Sequence, residues 1–247
     1  MKNKYTKIYF GVLIIILLFY TGCTDPLSGN PEHLAKIEEG WDKFEAHFYT
    51  EALESFIDAR DGLEVDYFTD SLFLAYSGLS EAYLGMGWCY LRLNEAQESM
   101  ESFMASETLG VYGFGTSIGL MGAYYKLGQP DDDGNMDESM IDNAIETGDW
   151  ILSTLSTTGM DTNLFIHDPN IDSDDVRILI ARSYFFKGDE DSVLEWIIII
   201  DSETDYGYLN KDDPDTWHLP GSSQLYNSFG EVLLAILEIL DIGGGLI

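Results

Sequence analysis

The sequence has few of the residues and motifs from which enzyme and cofactor sites are built. Among its 247 residues it has only two cysteines, Cys23 and Cys89, which leaves no basis for a cysteine metal site. No two of its four histidines stand at the spacing of zinc ligands on a helix. The phosphate-binding glycine loop and the Gly-x-Ser-x-Gly nucleophile elbow are also missing. We therefore expect no cofactor and no enzymatic activity.

Basic residues are scarce as well. Twelve Lys and Arg stand against 44 Asp and Glu, so the net charge is −32 and the isoelectric point is near 4.1. Because phosphate contacts depend on Lys and Arg, nucleic acid is excluded as a partner, and an anionic lipid surface should be repelled. The same charge attracts cationic peptides, basic proteins or divalent cations; the alternative is that it serves only solvation.

No apolar run is long enough for a comfortable membrane-spanning helix, which needs about 20 residues. The longest run covers residues 8–20 and follows Lys2, Lys4 and Lys7. A short apolar stretch behind basic residues is typical of a signal peptide. We predict that residues 1–22 are a cleaved signal peptide; the alternative is an uncleaved membrane anchor.

The apolar run ends in Tyr20-Thr21-Gly22-Cys23, which resembles the lipobox of bacterial lipoproteins. Thr21 and Gly22 fit that pattern, whereas Tyr20 stands where Leu is usual. The resemblance implies that Cys23 is acylated and becomes the mature N-terminus, with residues 23–31 as a linker. We therefore expect a lipid-anchored protein of the bacterial cell envelope, on the periplasmic or the outer surface. Cys89 then has no disulfide partner, and its helical context predicts a small buried hydrophobe.

Residues 32–242 lack the two-residue alternation of strands and instead repeat apolar residues at helical spacing. The pattern predicts about four antiparallel helix pairs, then a C-terminal capping helix at about 224–240 and a tail at 243–247. The β-like run Trp196–Ile200 ends a helical unit, so we interpret it as a buried helix end.

One stretch of sequence occurs twice at a fixed offset. Gly40-Trp41 recurs 47 residues later as Gly87-Trp88, and Phe56 recurs as Phe103. A fixed-offset match is the signature of a repeat array, in which stacked units bury a continuous core that none could bury alone. The predicted fold class is therefore all-α, an α-α superhelix of the solenoid type.

The units resemble tetratricopeptide repeats, in which a small residue and an aromatic in the first helix precede a Tyr, Ala, aromatic, Ala series in the second. In the first unit the series is Tyr49, Ala52, Phe56 and Ala59. The resemblance covers roughly residues 32–200. Unit spacings of 47, 35 and 59 depart from the regular 34 residues, so we expect insertions.

The resemblance implies a scaffold that binds a protein or peptide in a concave groove lined by the first helix of each pair. Carried over position by position, the groove residues include Trp41, Phe44, Trp88, Arg92, Lys126 and Arg182. Some members clamp a peptide carboxylate with Lys, Arg and Asn, but the corresponding set here has no Asn. Trp41 and Trp88 are expected to form an aromatic floor, or else to be ordinary core residues.

Two functions stay open at this point. The first is a scaffold for another envelope protein or peptide, including a basic one, with the lipid anchor as the contact to the membrane. The alternative is a surface glycan-binding lipoprotein of a polysaccharide-uptake system, because starch-utilisation binding lipoproteins also contain such repeats and use tryptophan platforms.

Two acidic loops offer oxygen ligands at two-residue spacing, as calcium requires. The first contains Asp131, Asp133 and Asn135, and the second runs from Asp168 to Asp174. In the first loop Gly134 stands at the fourth position, whereas an EF-hand needs glycine at the sixth. The alternative is that both are solvated loops whose last residues cap a helix.

Overall fold

The computed structural model describes residues 31–70, 73–110, 113–159 and 164–241. The predicted signal peptide, Cys23, the linker up to residue 30 and the tail lie outside these ranges. In the described residues the structure is helical, and the only strand-like pairing is an isolated antiparallel bridge between His218 and Leu225.

The described residues form nine α-helices and one short 3-10 helix. The α-helices are α1 (Pro31–Glu45), α2 (Tyr49–Asp70), α3 (Phe73–Arg92), α4 (Ala96–Thr108), α5 (Phe114–Gly128), α6 (Glu138–Thr158), α7 (Ser173–Phe186), α8 (Glu190–Ile200) and α9 (Phe229–Leu240). The 3-10 helix covers Pro214–Thr216 in the connection between α8 and α9.

Each helix packs against the next, and every second helix also packs in a row of its own. That row runs α1, α3, α5, α7 and α9, while α2, α4, α6 and α8 lie outside it. This arrangement confirms the predicted all-α helical-repeat superhelix. Helix α9 packs on both α7 and α8, so it takes the place of a first helix in a fifth unit and closes the stack.

The residues that repeat at an offset of 47 form the same packing contact twice, a phenylalanine ring against two glycines. A Cβ added at Gly40 or Gly85 would lie 2.7 or 2.4 Å from the Phe56 ring. One added at Gly87 or Gly119 would lie 2.7 or 2.1 Å from the Phe103 ring. Each phenylalanine of a second helix is therefore wedged between glycines of the two flanking first helices, where no larger residue fits.

The turns within three of the helix pairs are also equivalent. His47, Asn94 and Gly188 stand at the same place between their helices, with φ of 63°, 65° and 71°. In each turn the residue that follows donates its N–H back to a carbonyl in the last turn of the first helix. This is the Schellman ending, which satisfies carbonyls that a helix end leaves without partners.

Several predicted boundaries need correction. The capping position considered for the third helix, Asp70, which the acidic side chain made a candidate because carboxylates accept N–H groups at helix starts, is the last residue of α2. The last helix begins at Phe229 and not near residue 224, because residues 217–226 form the bridged turn. The run Trp196–Ile200 does end helix α8, but Ile198 and Ile199 are 43% and 55% exposed, so the expectation of a buried end is wrong for these two.

None of the described helices combines the length and apolar character that a membrane span requires. Cys89 is fully buried, which confirms the prediction of a small buried hydrophobe. Burial raises the pKa of its thiol because the charged thiolate would lose its hydration.

Candidate functional site

The six residues assigned to the groove lie on the row of first helices α1, α3, α5, α7 and α9. The side of the molecule formed by this row is called here the inner face. The six residues are Trp41 and Phe44 on α1, Trp88 and Arg92 on α3, Lys126 on α5, and Arg182 on α7. The structure places them on successive units, as the repeat pattern requires. It does not leave them together on one open surface.

The N-terminal half of the inner face is covered by residues 164–172, which lead into α7 and are called here the cover segment. The Phe165 ring stacks on Trp88 with centroids 4.2 Å apart and planes 12° apart. The His167 ring stacks on Trp41 at 3.7 Å and 2°. Beneath them Trp88 is 0% and Trp41 6% exposed, so neither offers a ring face to solvent.

Polar contacts hold the same segment in place. Arg92 Nη2 donates to Asp168 Oδ2 at 2.7 Å, and the Arg92 guanidinium also lies 6.0 Å from the centre of the Trp88 ring. His167 Nδ1 lies 3.0 Å from a Glu45 carboxylate oxygen. The side chains of Phe165, His167 and Asp168 thus hold the segment on the inner face, whereas Ile166 between them is 77% exposed.

Trp41, Phe44 and Trp88 are therefore core residues in this conformation, and they provide no platform on which a ligand could stack. Two roles were left open for Trp41 and Trp88, an aromatic floor or ordinary core. The structure places both tryptophans in the core. The one opening beside the cover segment among the described cavities is about 280 Å³, lined by Phe44, Glu45 and Ile166 among others. The assignment of Trp41, Phe44 and Trp88 to a binding groove stays a prediction.

The other two predicted groove residues lie in the C-terminal half and are engaged by neighbours. Lys126 Nζ donates to Asn94 Oδ1 at 2.9 Å, and Arg182 Nη2 pairs with Asp241 at 2.8 Å. Burial lowers the pKa of Lys126, and the charge of Arg92 lowers it further. The inner face therefore carries a row of cations on an otherwise acidic protein.

Asp175 lies near the acids of both inner ion pairs, Asp168 and Asp241. Burial raises its pKa from 3.8 to about 6, and the negative charges of Asp172, Asp241 and Asp168 add to that shift. Its carboxylate accepts a hydrogen bond from the backbone N–H of Asp172, which only partly offsets the rise. The fold therefore disfavours the charge of this carboxyl, as it disfavours that of Lys126.

The acidic loops have local structural roles. Asp131 Oδ1 accepts the backbone N–H groups of Asp133 and Asn135, which closes the first loop on itself. Asp172 caps α7 in a reciprocal capping box with Asp175, as the capping alternative predicted. In the ranges that the structure describes, no three acidic, histidine or cysteine side chains converge as a metal site. The calcium candidate Asp131, Asp133 and Asn135 gains no further support.

A pocket on the outer side was not predicted from the sequence. It has a volume of about 370 Å³ and lies where α4 and α6 flank α5. Its lining residues are Glu107, Ser117, Leu120, Tyr124, Asn143, Glu146, Thr147 and Trp150. The buried stripe of α6 includes Ile141, Ala144 and Ile151, and Trp150 lies off that stripe with 53% of its surface exposed. The sequence did contain one sign of this pocket, because Trp150 is a large aromatic residue on the polar face of an amphipathic helix.

Comparison with known proteins adds no assignment: neither a protein-family model nor a curated protein matches this chain. What the fold defines is a class, the α-helical-repeat proteins. The described part of this chain combines a covered inner face with an open outer pocket.

Proposed function

We propose that this chain is a lipid-anchored scaffold of the bacterial cell envelope that binds another protein or peptide on the inner face of its helical repeats. A tetratricopeptide-type array would serve this purpose, because stacked first helices form one continuous surface. Enzymatic activity is not part of the proposal.

The observation that carries the proposal is the way the inner face holds the cover segment. That segment lies outside the regular helices, and it is fixed by ring stacking at Trp41 and Trp88 and by the ion pair from Arg92. Aromatic stacking and charge-assisted hydrogen bonds are also the means by which a groove holds a peptide from another protein. The inner face therefore has the chemistry of a peptide-binding surface, with a part of its own chain as the occupant.

Site-specific photo-crosslinking in the native envelope tests this proposal. A photoreactive amino acid is placed at Lys126 or Ile166 on the inner side, and at Asp58 on α2 as an exposed control. We expect the inner positions to yield one adduct of the same partner and the control to yield none. Equal adducts at all three positions, or none at either inner position, would contradict the proposal.

The lipid anchor is tested separately. Cells fed labelled palmitate should incorporate the label into the wild type and lose it in the Cys23→Ser variant. Cys89→Ser is the matched control, and we expect it to keep the label because the Cys89 thiol is buried. Label that persists in Cys23→Ser would remove lipidation from the proposal while leaving the scaffold role intact.

The glycan alternative is not carried forward at the inner face. It depended on Trp41 and Trp88 as stacking platforms, and the cover segment stacks one ring on each of these two tryptophans. A sugar would reach them only after the segment had left.

A further inference from the structure

We propose that the outer pocket between α4 and α6 binds the side chain of a lysine or arginine presented by a protein partner. This inference rests on the proposed scaffold function only in that the cation belongs to a protein. The chemistry of the pocket itself is independent of which partner that is.

The first argument is the charge of the lining. Glu107 and Glu146 contribute two carboxylates, and none of the eight described lining residues is basic. Within the described part of the chain the Glu107 carboxylate has no hydrogen-bond or ion-pair partner, whereas Asp168 and Asp241 on the inner face each have an arginine. A carboxylate in a partly desolvated place costs free energy that a bound cation would offset.

The surroundings of Glu107 support this point. Burial raises the pKa of Glu107, and the pKa of Tyr124 in the same pocket is raised by burial and by the Glu107 charge. The negative charge at this place is therefore that of Glu107, and the Tyr124 hydroxyl beside it stays neutral. Neutral hydroxyl groups, such as those of a sugar, would form hydrogen bonds here but would leave that charge uncompensated.

The second argument is the aromatic wall. Trp150 is 53% exposed, and the Phe114 ring lies 6.4 Å away at a tilt, which supports the indole while leaving much of it accessible. An exposed tryptophan is the best aromatic partner for an ammonium or guanidinium group. Carboxylates beside an accessible indole are therefore suited to an organic cation.

The third argument is geometric. Asn143, Thr147 and Trp150 stand at helical spacing on one face of α6, with Glu146 beside them, so a single helix supplies one wall. Leu120 and Ser117 of α5 are 6% and 8% exposed and form a floor, and Glu107 of α4 closes the other side. A volume of about 370 Å³ holds one long side chain, with the apolar floor against its methylene groups.

The field of the whole protein favours the same ligand. A net charge of −32 raises the local concentration of cations and speeds the approach of a basic partner. On the inner face Arg92 pairs with Asp168 of the cover segment, whereas the lining of the outer pocket contains two carboxylates and no described basic residue.

The test uses the full chain in detergent with two short peptides, acetyl-Gly-Arg-Gly-amide and its citrulline analogue. Citrulline has nearly the shape of arginine without the charge. We measure binding by saturation-transfer NMR of the peptide and expect at least about tenfold weaker binding of the citrulline peptide, since about 1.4 kcal/mol is tenfold in affinity. Binding of the arginine peptide should also fall as salt is added.

Variants locate the binding. Trp150→Ala and the double change Glu107→Gln with Glu146→Gln should each reduce arginine binding by about tenfold or more, which corresponds to about 1.4 kcal/mol. The control carries Glu195→Gln with Glu203→Gln, two exposed glutamates outside the pocket, so it has the same net charge as the test variant. We expect the control to bind like the wild type. Circular dichroism confirms that each variant is folded.

Three results would overturn the proposal. They are equal binding of the two peptides, an equal loss in the control variant, and binding of maltose at Trp150 without binding of arginine. The proposed function fails separately: if no inner-face adduct forms, the scaffold role is lost although the arginine peptide still binds. If the adduct forms unchanged in Trp150→Ala and in the double glutamine variant, the scaffold stands and the pocket is not used by that partner, which overturns the inference.

Discussion

Trp88 and Trp150 show two opposite uses of the same side chain. Trp88 is fully buried on the inner side, stacked on Phe165 and edge-on to Phe103. Trp150 is half exposed on the outer side, beside two carboxylates that have no described cation nearby. The first lies in a region that the chain itself covers, and the second in a region that is open to solvent.

This difference teaches that a groove position in a helical repeat does not by itself make a binding residue. The His167 and Phe165 rings of the cover segment stack on Trp41 and Trp88, where a ring of a ligand would otherwise stack. Where the cover segment lies on the inner face, Trp41 and Trp88 can be reached only after the segment has left, whereas Trp150 is accessible as it stands. The predictions below test whether the two regions differ in this way.

The largest expected effect separates the two tryptophans directly. Trp88→Ala should lower the free energy of unfolding by about 3–5 kcal/mol, because it opens a cavity in the core. Trp150→Ala should cost about 1 kcal/mol or less, since the side chain is half exposed. Urea unfolding followed by circular dichroism measures both.

Trp88→Phe is the control for this pair. It keeps an aromatic ring for the stack on Phe165, and within the described residues the buried Trp88 Nε1 has no hydrogen-bond partner to lose. We expect Trp88→Phe to cost clearly less than Trp88→Ala. Similar losses in Trp88→Ala and Trp150→Ala would remove the contrast between a closed and an open region.

The second prediction concerns the cover segment. Phe165 is 3% exposed, so Phe165→Ala should cost about 3 kcal/mol, and it should also expose Trp41 and Trp88 to solvent. Ile166 is 77% exposed, and Ile166→Ala should change the stability by less than about 0.5 kcal/mol. Unfolding curves and quenching of tryptophan fluorescence by acrylamide measure the two effects. Unchanged quenching in Phe165→Ala would mean that the tryptophans are protected without the segment.

The sequence was sufficient for the fold because repeats and helical periodicity are local patterns. The match of Gly40 and Phe56 with Gly87 and Phe103 predicted a repeated unit, and the structure gives its physical cause in the wedged rings. The last residues of the second acidic loop were considered as a helix cap, and Asp172 caps α7. In both cases residues close in sequence decide the structure.

The cover segment was not predictable in the same way. Phe165, His167 and Asp168 lie in a non-helical stretch that has no periodicity, and their partners Trp88, Trp41 and Arg92 are far away along the chain. The formation of these contacts depends on how α6 and α7 are placed, which no local pattern specifies. The same long-range packing buried the tryptophans and left Trp150 exposed.

The third prediction compares an inner ion pair with an outer one. The side chains of Arg92 and Asp168 are 13% and 18% exposed, so Asp168→Asn should cost about 1–3 kcal/mol by removing one charge of a largely buried ion pair. Lys211 and Asp191 are 47% and 69% exposed, and Asp191→Asn should cost less than about 0.5 kcal/mol. Thermal unfolding at low and high salt measures both. Equal costs would show that the segment is held by its rings alone.

The smallest effect concerns the pH dependence of the inner face. Because the pKa of Asp175 is raised from 3.8 to about 6, the folded protein binds a proton that the unfolded chain has released between these values. The contribution of Asp175 to stability therefore falls as the pH rises from about 4 to about 6, and its cost is fully present above that window. Asp175→Asn keeps an oxygen that can accept the Asp172 N–H and removes the charge.

We expect Asp175→Asn to be more stable than the wild type by about 1 kcal/mol at pH 7, a value reduced for solvent screening of a partly exposed group, and equal to it near pH 4. Asp133→Asn removes the same charge from an exposed loop and is the matched control. Urea unfolding of the three proteins between pH 4 and pH 8 measures the difference. A constant gap between Asp175→Asn and the wild type would show that the effect is the loss of a cap and not of a disfavoured charge, and the inner face would then be fully satisfied at neutral pH.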